Sequence, residues 1–175
     1  MPAPSYVVLE SGGPLQHRAV RRRAAAADGA GCVLPDLPVA ESASWRRHAA
    51  EHELATVFVV APSSTDAQLA ETAAAGTGII YASALMVVTG VRDRVDEAAA
   101  VLTRRLRTVT GPPVCVRMGV ADASQAAEVV CFADGVIVGS TLVGMLLAAR
   151  DRGEGAAAIE QLTAQLAAAV RARTP

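Results

Sequence analysis

The feature that most constrains this chain is an alternation: short runs of β-branched and aliphatic residues, each followed by a stretch with helical spacing, repeated from end to end. Residues 6–9, 32–34, 56–60, 78–81, 113–116 and the apolar part of 133–138 read as strands. Between them, residues 15–27 form an Arg- and Ala-rich helix, Ser42 or Ser44 caps a helix carrying Trp45, and Pro62–Asp66 opens another. Val95, Ala98, Leu102, Leu106 and Val109 recur at spacings of three and four, and Ile159, Leu162, Leu166 and Val170 do the same near the end. Short strands that are apolar throughout predict a parallel sheet covered by helices on both faces. About six such βα units, with short connections and no linker, imply a single α/β domain over residues 1–175.

In parallel α/β folds, function sits at the C-terminal strand ends. That places Glu10, Asp36, Tyr81, Thr89, Gly90, Gly119, Gly139 and Ser140 at candidate positions. The last pair follows the strand Val136-Ile137-Val138 directly and precedes a helix from Thr141 to Ala149. Bare backbone N–H groups and a hydroxyl at a helix start can hold a phosphate; the same dipeptide also serves as a plain tight turn.

Composition removes several classes of chemistry. The chain is 52% hydrophobic and only 3% aromatic, so its core is built from Ala, Val, Leu and Ile, as in a globular domain. A net charge of −1 gives no general attraction to polyanions, and neither nucleic acid nor membrane is expected as a partner. All 16 basic residues are arginine, so no lysine is present to form a Schiff base with pyridoxal phosphate. Such chemistry would sit on a partner, and this chain is expected to carry no cofactor. Arg21, Arg22 and Arg23 read as a solvated helix face. Cys32, Cys115 and Cys131 lie in apolar contexts without CxxC spacing and are expected as buried, reduced thiols. His48 and His52 are four apart on one helix face, yet no third ligand accompanies them, so no metal is expected. The opening residues lack a charged segment and an apolar core, and no run approaches a membrane span. The expected location is cytoplasmic.

Four stretches carry a resemblance that covers nearly the whole chain in order. They are Pro35-Asp36-Leu37-Pro38 with Glu41-Ser42, Phe58 to Thr65, Tyr81-Ala82-Ser83 running to Val88-Thr89-Gly90, and Ala133 to Ser140. Together they resemble the tryptophan synthase alpha chain family, from its third barrel strand to its last. That family is a (β/α)8 barrel that cleaves indole-3-glycerol phosphate and passes indole to a pyridoxal-phosphate-dependent beta chain. The resemblance implies a TIM-barrel-like partial fold lacking the family's first two units. It implies a phosphate site at Thr89, Gly90, Gly119, Gly139 and Ser140, and an indole pocket lined by Tyr81. Because about six units do not close an eight-stranded barrel, an oligomer or a partner-covered seam is expected.

The departures from the family shape the functional expectation. Its catalytic Glu and Asp lie on the early barrel units, which have no counterpart here, and cleavage needs both an acid and a base. The family's Ser-Arg-x-Gly-Val-Thr-Gly loop reads Ala84-Leu85-Met86-Val87-Val88-Thr89-Gly90, and its Gly-x-Gly reads Arg117-Met118-Gly119. Arg117 either donates to a phosphate as a bidentate fork or fills the pocket. Glu10 and Asp36 are the carboxylates placed to replace the lost acid or base. The expectation is a non-lyase binding and regulatory subunit for a beta-type enzyme. The alternative is a repurposed small-molecule enzyme acting on an indole- or phosphate-containing substrate, with unaided lyase activity ranked last.

Overall fold

The computed structural model describes residues 6–8, 29–84, 92–109 and 111–172, the backbone alone for 6–8 and 92–96. The helix expected over 15–27, the Arg21–Arg23 face, Glu10, Thr89 and Gly90 lie outside the described residues. The elements are β1 (Tyr6–Val8), β2 (Gly31–Leu34), a 3-10 turn (Val39–Glu41), α1 (Ala43–Ala50), β3 (Ala55–Val60), α2 (Asp66–Ala75), β4 (Ile80–Ser83), α3 (Arg92–Arg107), β5 (Val114–Arg117), α4 (Ala123–Val129), β6 (Gly135–Val136), α5 (Ser140–Ala148) and α6 (Arg152–Arg171). The strands follow sequence order, β1 to β6. The chain packs as two compact units, Met1–Tyr81 with Arg105–Pro113, and Ala82–Arg104 with Val114–Pro175.

In the first unit, β1, β2 and β3 pair in parallel, with Cys32 opposite Val7 and Thr56, and Leu34 opposite Phe58. Gly31 permits this register: a Cβ there would lie 2.5 Å from the Ala55 carbonyl oxygen. Cys32, Leu34, Trp45, Ala49, Leu54, Phe58 and Ala75 form one buried cluster, with Leu37 and Val39 packed against it. Each large side chain so buried contributes about 1.5–3 kcal/mol. Trp45 stays satisfied inside the cluster because its Nε1–H donates to Thr56 Oγ1 at 3.1 Å. The expected cap of α2 is present as a capping box, Thr65 and Gln68 each accepting from the other's backbone N–H. Arg105 on α3 reaches back to Asp66 Oδ1, the Pro62 carbonyl and the Ser64 carbonyl, clamping the turn that leads into α2.

In the second unit, β5 and β6 pair in parallel, Cys115 opposite Gly135 and Val116 opposite Val136. Asp134 closes the start of this pair: its N–H donates to the Val114 carbonyl, and its Oδ2 accepts from Val114 N–H at 2.8 Å. Val114, Val116, Val120, Ala126, Val129 and Ala133 are buried here. Helix α6 packs against α4 and α5. Leu162 is its buried core residue; Ile159, Leu166 and Val170 share its face but are half-buried.

Several expected details are corrected. Thr77 N–H bonds back to the Thr56 carbonyl, and pairing begins only when Ile80 N–H meets the Pro113 carbonyl, so the fourth strand starts at Ile80 rather than Gly78. The last strand is only two residues long. Its ladder ends with Ile137 N–H on the Val116 carbonyl, where β5 itself is ending, and Val136 to Val138 are half-buried rather than buried. Ser42 occupies the N-cap of α1 without capping it, because its hydroxyl donates to the Val39 carbonyl at 2.7 Å. At the start of α4, Asp122 is the cap, its Oδ1 accepting from Gln125 N–H. Of the cysteines, none of which forms a disulfide, only Cys32 is fully buried; Cys115 is half-buried and Cys131 exposed. Cys131 sits just past the end of α4, where that helix face meets solvent.

Candidate functional site

The best-defined strand-end constellation lies in the second unit, where β5 and β6 both terminate. Arg117 is the last residue of β5, half-buried, and its carbonyl accepts from Ala84 N–H at 3.0 Å. Two residues on, Gly119 has φ 72, a left-handed conformation that glycine adopts without the strain a side chain brings. The chain then reaches Val120, which is 3% exposed and anchors the loop to the core.

Beside it, β6 delivers Gly139 as the N-cap of α5. Gly139 has no side-chain cap, and a Cβ built on it would meet nothing within 4 Å, so its surroundings are open. The first backbone bond of the helix is Val143 N–H to the Gly139 carbonyl at 3.0 Å. The N–H groups of Ser140, Thr141 and Leu142 therefore have no acceptor within the helix. No acidic residue occupies that first turn. The positive end of this nine-residue helix is the kind of terminus at which anions bind. Ser140, expected to sit just ahead of the helix, is its first residue, with an exposed hydroxyl.

A single side chain joins these two elements. Thr141 Oγ1 donates to the Val120 carbonyl at 3.0 Å, fastening the start of α5 to the loop that carries Gly119. Sequence reasoning took Thr141 only as the helix start and missed this link. The available signal was a hydroxyl residue set one position past Gly-Ser in an otherwise apolar helix. The structure therefore brings Gly119, Gly139 and Ser140 into one unit with Arg117.

The remaining expected residues fall elsewhere. Asp36 is exposed in the turn after β2, and Tyr81 is half-buried within β4 rather than at its end, both in the first unit. Thr89, Gly90 and Glu10 lie outside the described residues. His48 and His52 gain no metal-ligating company: among the described residues no three His, Cys, Asp or Glu side chains converge. His48 is engaged within its own helix, its Nδ1–H donating to the Ser44 carbonyl at 2.6 Å. Among the described residues no helix is long and apolar enough to cross a membrane. Near the site, burial and secondarily the Asp134 carboxylate push the Cys115 thiol up to about 11, so at neutral pH it is not a nucleophile.

Comparison with known proteins bears on the family and the fold. The family model described as tryptophan synthase alpha chain matches residues 16–171. A tryptophan synthase alpha chain from Streptomyces avermitilis is 60% identical over 147 residues, covering 84% of this chain and 53% of that protein. One from Nocardia farcinica is 43% identical over 171 residues, covering 96% and 62%. The chain thus spans about half to three-fifths of the length of these curated relatives. Among solved structures, a ligand-free tryptophan synthase from M. tuberculosis superposes with a TM-score of 0.80 at 38% identity, covering 96% of this chain and 62% of that one. A structure described as the tryptophan synthase a2b2 complex from Pyrococcus furiosus gives a TM-score of 0.78 at 27% identity, covering 94% and 67%. The parallel α/β architecture is accordingly a partial (β/α)8 barrel, and the chain belongs to the tryptophan synthase alpha chain family.

Proposed function

We propose that these residues bind the phosphate end of an indole-glycerol-phosphate-type ligand and dock on a pyridoxal-phosphate-dependent beta-type subunit, tuning that enzyme without cleaving the ligand themselves. The observation that carries the reading is the link between Thr141 and Val120, which sets the Gly119 loop beside the N–H groups that open α5. A preorganised backbone cradle of this kind binds an anion without reorganising. Arg117, at the end of β5 in the same unit, adds a charge-assisted fork in this reading. Docking on a beta-type subunit draws support from family membership and from the a2b2 complex among the solved relatives. Asp36, exposed after β2, is a contact residue for that subunit in this reading.

The reading without cleavage rests on the chemistry that the reaction needs. Protonating the indole carbon and deprotonating the glycerol side chain needs an acid and a base at one centre. Among the described residues of the unit that holds the phosphate cradle, β4 ends at Ser83, β5 at Arg117 and β6 at Val136, and none of these is a carboxylate.

The test is reconstitution. The chain is mixed with a beta-type subunit and inorganic phosphate or indole-3-glycerol phosphate, and three quantities are followed: complex mass, beta-reaction rate and indole release. Complex formation with a changed beta rate and no indole from the chain alone supports the reading. Indole release by the chain alone, or a beta rate indifferent to the chain, overturns it. In the second case the alternative, a small-molecule enzyme with its own partnerless site, takes its place.

A further inference from the structure

The first unit holds a cavity of about 410 Å³ at the beginning of β3, and its lining includes none of the strand-end residues named above. Because β2 and β3 are parallel, it opens at the end of the sheet opposite to Asp36. Ala50, Leu54, Ala74 and Ala75 give it apolar walls. Arg46 and Glu53 bring opposite charges to the same lining. Both are exposed, and among the described residues neither makes a side-chain hydrogen bond or an ion pair, with each other or with any third group.

Two further features point to a ligand with both signs of charge. Helices α1 and α2 end at Ala50 and Ala75, so their last-turn carbonyls contribute negative potential at the cavity. This adds to Glu53 in favouring a cation, while Arg46, one turn back on α1, awaits an anion. Thr56, 1% exposed and among the lining residues, has an unused donor. Its Oγ1 accepts from Trp45, its backbone N–H and carbonyl are both taken by Thr77, and its own hydroxyl proton has no acceptor among the described residues. A buried hydroxyl left half-satisfied calls for a partner.

We propose that this cavity is a binding site for a free α-amino acid in its zwitterionic form, with a small aliphatic side chain. The α-carbon carries a carboxylate and an ammonium on adjacent bonds, which answers Arg46 and Glu53 with one molecule. A simple anion or cation leaves one of the two charges unmatched. The aliphatic side chain covers Leu54 and the alanines at the helix ends, and the volume falls within the range of small-molecule pockets, roughly 300–1,000 Å³.

The experiment is isothermal titration of the whole chain with L-leucine, N-acetyl-L-leucine, which lacks the ammonium, and L-leucinamide, which lacks the carboxylate. The expected result is saturable leucine binding and at least about tenfold weaker binding of each derivative. Arg46→Ala weakens leucine by about tenfold and leaves leucinamide unchanged; Glu53→Gln weakens leucine and leaves N-acetyl-leucine unchanged. Both side chains are exposed, so both variants are expected to fold, and the derivative pair on the unaltered chain decides the matter if either does not. No saturable heat with leucine up to about 10 mM, or equal binding of all three compounds, overturns the proposal.

Discussion

The hydroxyl of Thr141 donates to the carbonyl of Val120 across 3.0 Å, and through that bond the first turn of a helix is held against the loop of a neighbouring strand. The bond is partly buried and links residues 21 apart in sequence. Thr141→Val keeps the shape and removes the donor, leaving the Val120 carbonyl unmatched. The expected cost is about 1 kcal/mol in urea unfolding, with a larger proportional loss of inorganic phosphate affinity because the cradle loosens. Thr141→Ser restores both. Unchanged phosphate affinity in Thr141→Val contradicts the role assigned to the link.

Gly135 and Cys115 face each other across β5 and β6 so closely that a Cβ on Gly135 would lie 2.7 Å from Cys115 Sγ. Gly135→Ala is expected to destabilise by about 1–3 kcal/mol through overpacking. Adding Cys115→Ala removes the obstructing sulfur, so the double variant recovers most of that loss in a double-mutant cycle. Additive effects of the two substitutions exclude this contact as the cause.

The cysteines differ in accessibility and so in reactivity. With iodoacetamide at about pH 8, Cys131, exposed, is modified first, whereas Cys32 and Cys115 react only on unfolding, as peptide mass spectrometry reports. The Cys115 thiol, raised from 9.0 to about 11 by burial and then by Asp134, also imposes a pH dependence. Above the unfolded-state value the unfolded chain loses this proton before the folded one. Stability associated with Cys115 is therefore full below pH 9.0 and falls as pH rises towards about 11. A chain carrying Cys115→Ala lacks this fall of about 2–3 kcal/mol in denaturant titrations across that window. Identical alkaline profiles for the two proteins refute it.

Glu53, three residues past the end of α1, has φ 53, the left-handed conformation usually filled by glycine. Leu54 N–H bonds to the Ala49 carbonyl and Glu53 N–H to the Ala50 carbonyl, which is the paired bonding of a Schellman motif. Glu53→Gly is expected to stabilise the fold by up to about 1 kcal/mol, read as a rise in Tm. A fall in Tm shows that the Glu53 side chain contributes more than its backbone strain costs.

How much of this was legible in the sequence follows from the range of each interaction. The βα alternation of the described elements, a cap for α2 within 62–66 and the burial of Leu102 and Leu106 are written in local spacing, and these appear as read. Strand ends were less legible, because pairing rather than propensity ends them: β6 stops where β5 runs out of carbonyls, whatever the β-branched content of Ile137 and Val138. The Arg105 clamp on Asp66 joins residues 39 apart and has no local signature. Ser42 and Asp122 show the same limit at the scale of one turn, since which hydroxyl or carboxylate caps a helix depends on competing acceptors nearby. At the candidate site, Gly119 and Gly139-Ser140 were readable as backbone-exposing positions, whereas the bond that joins them was not.

The central claim is that this chain acts as an alpha-type partner and not as a catalyst on its own. The most direct measurement is the solution mass of the chain mixed with a beta-type subunit, with the beta-reaction rate followed in the same mixture. A defined complex with a changed rate is the predicted result. A chain that stays apart and leaves the rate untouched contradicts the account.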